Sequence, residues 1–303
     1  MTSDTSDLRG VLPRERLQSG IRVALLVLPA AFVTLFLIVP LALAVAISFW
    51  QRVGFRVRPA FQLNAYVDFF SGVRLVVLER GLLVAAEATA VSLLIAYPIA
   101  YLLCFNMKRQ TARNVLALFS IPFLVNYIIR TFSWNWLLGR TGPVNAALIA
   151  LGLSDAPVDW LLYSDFAVLL GLVTSYMPFM IFPIYLALVG LDRRLIEASW
   201  MLGAPPWRTF LRVTLPLSLP GVFAALVFGF VGSFGDSAVP IILGGTGYQL
   251  MGNAITSTLD VLNYPLAAAM STVVIAVMLA LLLCWYLAFD LEAFLGKILR
   301  WRF

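Results

Sequence analysis

Histidine is absent from the 303 residues, cysteine occurs twice, and charged residues make up only 12% of the chain. Without an imidazole there is no Ser-His pair and no zinc-hydrolase motif, so an intramembrane hydrolase lacks its machinery. Nor does any acidic-Gly motif of a lipid-head-group transferase appear. Cys104 and Cys284 both lie in apolar runs, which suits packing and argues against a disulfide framework or a cysteine metal site. Lysine is confined to Lys108 and Lys297. Gly296-Lys297 is followed by Ile298 and lacks the upstream glycine of a P-loop, so an ATPase would have to come from another chain. The net charge of +6 has no basic stripe or aromatic-basic repeat behind it, which removes nucleic acid as a partner. No internal repeat and no low-complexity segment stands out, and the missing repeat counts against an inverted-repeat secondary transporter.

What the chain does have is apolar length. Hydrophobic residues make up 62% of it, against roughly 45–50% in a soluble domain. They fall in long runs, so the expectation is an all-α polytopic membrane protein. Six stretches reach the length of about 20 residues that a crossing helix needs: 21–49, 81–107, 114–138, 166–190, 217–234 and 265–289. They form one transmembrane domain over 21–290, between tails at 1–20 and 291–303, because no polar segment is long enough to fold alone. The first stretch is too long for a signal-peptide core and is expected to stay as a span. Pro29, Pro98, Pro122, Pro178 and Pro183 lie inside these runs, and the last two make the fourth span the expected place for a bend. The tails, the loop at Lys108 and the loop at 193–212 hold fourteen basic residues against six in the alternate loops, which puts both termini in the cytoplasm. Five arginines between Arg52 and Arg80 run against that bias. On the opposite side, Trp134, Trp136 and Trp160 suit an interfacial belt, Gly244-Gly245-Thr246-Gly247 suits a flexible turn, and Asp155, Asp159 and Asp165 precede the fourth span.

The loop from Leu191 to Pro216 is polar and Arg-bearing, and is expected to form two short helices around a break. Glu197, Ala198 and Ser199 lie in the first. Gly203-Ala204-Pro205-Pro206 interrupts it, since Gly takes special dihedrals and Pro cannot continue the hydrogen-bond ladder. A second short helix is expected from Trp207 to Val213, with Arg208 exposed on it. An ordinary hairpin with solvated charges would read the same way residue by residue.

The spacing of Glu197, Ala198, Gly203, Leu215 and Pro216 resembles the EAA loop of bacterial ABC-importer permeases, with Ser199 for the usual second Ala and Val213 for the usual Ile. Arg130-Thr131-Phe132-Ser133-Trp134, Leu138-Gly139-Arg140-Thr141-Gly142, Pro216 to Gly221 and Phe234-Gly235-Asp236…Gly252-Asn253 are similar to the spermidine/putrescine-type branch. The likeness spans nearly the whole chain. It implies a type I ABC importer permease fold of six transmembrane helices in a bacterial inner membrane. It also implies a two-permease core whose second member is a different chain, a pair of identical ATPase subunits and an extracytoplasmic solute-binding protein. ATP and Mg would be held by the ATPase, with no cofactor and no metal in this chain. Glu197, Ala198, Ser199, Gly203, Ala204 and Arg208 would form the coupling surface. Cargo stays open between polyamines and other small solutes: amino-acid derivatives, aminophosphonates, thiamine or ferric ion.

Charges inside spans are expensive and therefore functional candidates. Glu87 lies in the second span, Arg130 in the third and Asp236 at the end of the fifth. A polyamine path would want carboxylates and aromatic faces; Asp236, Glu87, Tyr176 and Phe179 are candidates, with Trp134 at the outer entrance. The bland alternatives stand beside these: Glu87 and Arg130 pair or snorkel, and Tyr176 and Phe179 simply pack. Gly229, Gly232 and Gly235 recur along one side of the fifth span and suit close packing, at the pore or at the companion permease. An ion-gradient-driven secondary transporter would account for the spans and the carboxylates but not for the loop around Gly203.

Overall fold

A computed structural model describes residues 27–54 and 56–289. The tails expected at 1–20 and 291–303, and the first six residues of the first expected span, lie outside them. Helix α1, Val27–Ser48, is an aliphatic run with its sides turned outward from the bundle. It widens to a π turn over Thr34–Ile38, where the Val39 amide reaches back five residues to Thr34 O. Pro40 follows at once and cannot donate, so the wide turn absorbs the missing bond. A short antiparallel ribbon comes next, β1 Gln51–Val53 and β2 Arg56–Arg58, with Arg52 opposite Val57.

After α2, Asn64–Phe70, the second span is α3, Arg74–Phe105, which carries Pro98 inside it without a break. The fourth is α7, Asp165–Val189, capped at its start by the Ser164 hydroxyl, which accepts from the Ala167 amide. It runs as one helix through both Pro178 and Pro183. The sharp bend falls in the third span instead. The run expected to be continuous over 114–138 is two helices, α4 Arg109–Leu124 and α5 Tyr127–Leu138, bent by 86° where α5 is taken on to Ala150. Val125 is extended, and the Asn126 side chain caps α5 by accepting from the Ile128 amide at 2.9 Å. Pro122 has no N–H to continue the ladder, and its own carbonyl is taken by Arg130 Nη1 at 3.2 Å. Proline, extended residue and Asn cap together break the helix within apolar sequence. With this bent pair as one crossing, the helices long and apolar enough to span a membrane number six among the described residues.

A helix of one turn less than the usual length, α6 Pro143–Ala150, leads back to α7. The polar loop then holds a single separate helix, α8 Arg193–Met201. The second short helix expected at 207–213 is the beginning of the fifth span: α9 runs from Pro206 to Gly235 over 30 residues. Pro206 starts it at the position where a missing N–H is harmless. Pro216 does not interrupt it, because a π turn over Phe210–Thr214 precedes that proline just as one precedes Pro40. Helices α10 Ala238–Leu243, α11 Met251–Asp260 and α12 Tyr264–Phe289 complete the chain.

The centre of the bundle is α3, α7 and α9. Ala96, Ala100, Met180 and Ile184 are buried toward the α8 end, and Val168, Leu172, Val239 and Leu243 toward the other. Gly229 and Gly232 settle into this centre. A Cβ on Gly232 would run into the Tyr176 ring, and one on Gly229 would meet Met180 Sδ at 2.7 Å. Their close approach is therefore to α7 of the same chain, with Gly232 against the Tyr176 ring; Gly235 alone of the three faces open space.

Candidate functional site

Helix α9 ends at Gly235, the backbone of Asp236 is extended, and α10 begins two residues later. A carboxylate at that break can serve the orphan amides of the next helix. Asp236 Oδ1 does so, accepting from the Val239 amide at 3.0 Å. Its Oδ2 accepts from Tyr176 Oη at 3.0 Å and from Tyr127 Oη. Asp236 is 5% exposed, so a carboxylate that stands in membrane-spanning structure is held by three donors from α5, α7 and α10. Thr131 Oγ1 donates to the Tyr127 carbonyl at 3.0 Å, and the Arg130 guanidinium lies 5.6 Å from the Tyr127 ring centre. Asn135 Nδ2 donates to the Ile242 carbonyl at 2.9 Å, which ties α5 to α10 beside the site. The arrangement suits a cation: an ammonium that displaced one phenol would meet the Asp236 carboxylate and the remaining phenol oxygen.

Asp236 and Tyr176 thus come together, and Tyr127 joins them although sequence reasoning passed over it. Asn126 gave a usable signal, because a cap residue inside an apolar run starts a helix and places the next side chain on a new axis. The other candidates are elsewhere. Glu87 is exposed on α3 and makes no ion pair; among the described residues the two ion pairs are Arg80–Asp165 at 2.7 Å and Arg140–Asp159 at 3.0 Å. Arg130 is committed to Pro122 O, so the expected alternative of a Glu87–Arg130 pair is not what forms. Phe179 borders an apolar cleft of about 300 Å³ with Ser120, Phe182, Pro183 and Phe228, away from Asp236. Trp134 is half-buried against the cluster that holds Leu138 and Leu172, whereas Trp136 and Trp160 are exposed.

A second polar cluster stands at the same end. Tyr248 Oη donates to Asp165 Oδ1 at 2.6 Å, and the Arg80 guanidinium lies over the Tyr248 ring at 4.3 Å. Burial first, and the neighbouring Asp165 second, raise the Tyr248 phenol above its usual range. The Gly244–Gly247 turn expected to be flexible is the strap this tyrosine anchors, with Gly245 and Gly247 both at positive φ.

At the opposite end, α8 stands out from the bundle with none of its residues buried. Asp192 caps it by accepting from the Arg194 amide at 3.0 Å. Gly203, at φ +76°, turns the chain back, with its amide on Trp200 O at 2.9 Å and the Ala204 amide on Ser199 O at 3.1 Å. Ser199 and Thr209 share a hydroxyl–hydroxyl hydrogen bond of 2.9 Å, which fastens α8 to α9. Arg193 Nη2 donates to the Cys104 carbonyl at 3.2 Å and fastens it to α3. Glu197, Ala198, Gly203 and Arg208 are exposed around this elbow, and Ser199 and Ala204 are half-buried in its angle. Sequence reasoning missed its apolar tip: Met201 is 89% and Leu202 87% exposed, between Trp200 and Trp207.

Residues 92–291 match the family of binding-protein-dependent transport system inner membrane components. The chain is 34% identical to the spermidine/putrescine transport system permease protein PotB of Haemophilus influenzae, over 84% of this chain and 88% of that one. It is 32% identical to PotB of Escherichia coli K12, over 84% and 93% of the two chains. The inner membrane ABC transporter permease protein YdcU of the same organism is 32% identical over 77% of this chain and 76% of its own. Among solved structures, a chain of the bacterial alginate ABC transporter in complex with an alginate pentasaccharide-bound periplasmic protein superposes with a TM-score of 0.71 at 16% identity, covering 90% of this chain and 95% of that one. The matched family and the permease relatives define the class: a membrane transport subunit. The chain belongs to the binding-protein-dependent transport family and is an ABC importer permease of the inner membrane.

Proposed function

We propose that this permease carries a polyamine, of the spermidine or putrescine kind, delivered by an extracytoplasmic binding protein and driven by separate ATPase subunits. The observation that carries the cargo reading is Asp236, a buried carboxylate ringed by Tyr127 and Tyr176 at the broken end of the fifth span. Alkylammonium groups gain from ion pairing and from nearby aromatic side chains, and this site sets a carboxylate beside two tyrosines. The two PotB relatives are named for the same cargo. The elbow is the face for a dimer of ATPase subunits: Met201, Leu202 and Trp207 are large apolar groups left in water, with Glu197 and Arg208 beside them. Both termini and the elbow then face the cytoplasm, and ATP with Mg belongs to the ATPase and not to this chain. Closing of the ATPase pair on ATP draws the elbows together and opens the cavity outward to receive solute; hydrolysis resets it. The companion permease is a different chain of the same fold.

The test is uptake by the reconstituted assembly with its cognate binding protein. Labelled spermidine or putrescine is expected to accumulate only with ATP and to compete with unlabelled polyamine. Retention of a different solute by that binding protein, with no polyamine bound, overturns the cargo. Uptake that persists without ATP but collapses with the ion gradient overturns the coupling.

A further inference from the structure

We infer that the Glu87 face of α3 borders the water-filled passage between this chain and its companion permease, where Glu87 supplies a second carboxylate for a multiply charged cation. This rests on the reading of the chain as one permease of a pair. Glu87 stands near the middle of a 32-residue membrane helix, is exposed on the isolated chain, and has no hydrogen bond or ion pair there. An ionised carboxylate in that place does not face lipid; it needs water or a cation. Its neighbours on the same side of α3 are Leu83 and Leu94, 65% and 74% exposed, with Ala86 and Ala90 between them. Arg80 and Arg130, the nearby cations within spans, are committed to Asp165 and to Pro122 O. The depth is also fixed. Thr89 packs at the level of Gly229; Asp236 lies seven residues beyond Gly229, and Glu87 lies two residues from Thr89 in the same direction, so at the rise of an α-helix the two carboxylates differ in depth by about 7–8 Å. A linear amine with ammonium groups separated by several methylenes spans such an interval. Asp236 takes one end from α9, and Glu87 meets the other from α3 as the solute moves through.

The experiment reads water access and charge without reference to cargo. The assembled transporter, with Cys104→Ala and Cys284→Ala in this chain, carries Ala90→Cys one turn from Glu87. It is treated in membranes with cationic and with anionic methanethiosulfonate reagents, with and without ATP. The cationic reagent is expected to react about tenfold faster than the anionic one, and Glu87→Gln to bring the two within about twofold. No reaction with either reagent in any nucleotide condition, or a charge preference untouched by Glu87→Gln, overturns the inference. Leu83→Cys, one turn the other way, serves as the second position if Ala90→Cys does not assemble, and is read by the same criteria. Failure here leaves the elbow reading standing, since that is judged by ATP-dependent uptake.

Discussion

Asp236 and the pair Met201–Leu202 sit at the two ends of one bundle and are treated in opposite ways. The carboxylate, which water would solvate well, is 5% exposed and held by Val239, Tyr176 and Tyr127 of its own chain. The two apolar side chains, which water solvates badly, are 89% and 87% exposed. A polar group completed within the chain is poised and rigid. An apolar group left uncovered awaits a surface from elsewhere. The first end is therefore complete within the chain, and on the reading proposed above the second is half of a docking site.

Substitutions can separate these two characters. The largest effect is expected from Gly203→Pro, because proline cannot adopt φ +76° and the elbow loses its turn. ATP-dependent uptake should fall to below about 5% of wild type, with ATPase subunits lost on co-purification. Full uptake by this variant, or by Glu197→Lys, would break the comparison at the elbow. Leu202→Asp should reduce uptake roughly tenfold by charging the docking surface while leaving the permease's own thermal unfolding unchanged, since Leu202 packs on nothing within the chain. At the far end, Asp236→Asn should lower uptake by about tenfold with assembly intact, and Tyr127→Phe by only about threefold, because Tyr176 and Val239 still hold the carboxylate. Equal uptake kinetics for Asp236→Asn and wild type would remove Asp236 from the path. Gly232→Ala, which drives a methyl into the Tyr176 ring, should cost about 1–3 kcal/mol of stability in a denaturation assay and disturb the same site indirectly. The smallest effect belongs to Asp165→Asn: an ion pair as exposed as Arg80–Asp165 contributes about 1 kcal/mol or less, visible as a shift of a few degrees at most in thermal unfolding.

Much of this was legible from residue pattern alone. Long apolar runs mark the spans without help, since the bilayer sets their length, and Gly203-Ala204-Pro205-Pro206 marks the turn of the elbow. The break in the third span was hidden because Val125 and Tyr127 read as apolar and Asn126 looked like one polar residue in a greasy helix, when it is a cap. The continuity of α9 was hidden for the converse reason. Leu215-Pro216 read as the start of a new span after a separate short helix, and only a π turn, which has no sequence signature of its own, joins the two. Asp236 could be picked out by its intramembrane charge, but its partners come from segments 60 and 109 residues away, a relation that spacing along one chain does not carry.

Pro206–Gly235 is one continuous helical run of 30 residues, about 45 Å long at helical rise, and it joins the elbow to the break at Asp236. Ser199 grips one tip and Asp236 terminates the other. On the reading proposed above, a displacement of the elbow and a change at the phenol-ringed carboxylate are coupled through this one helix.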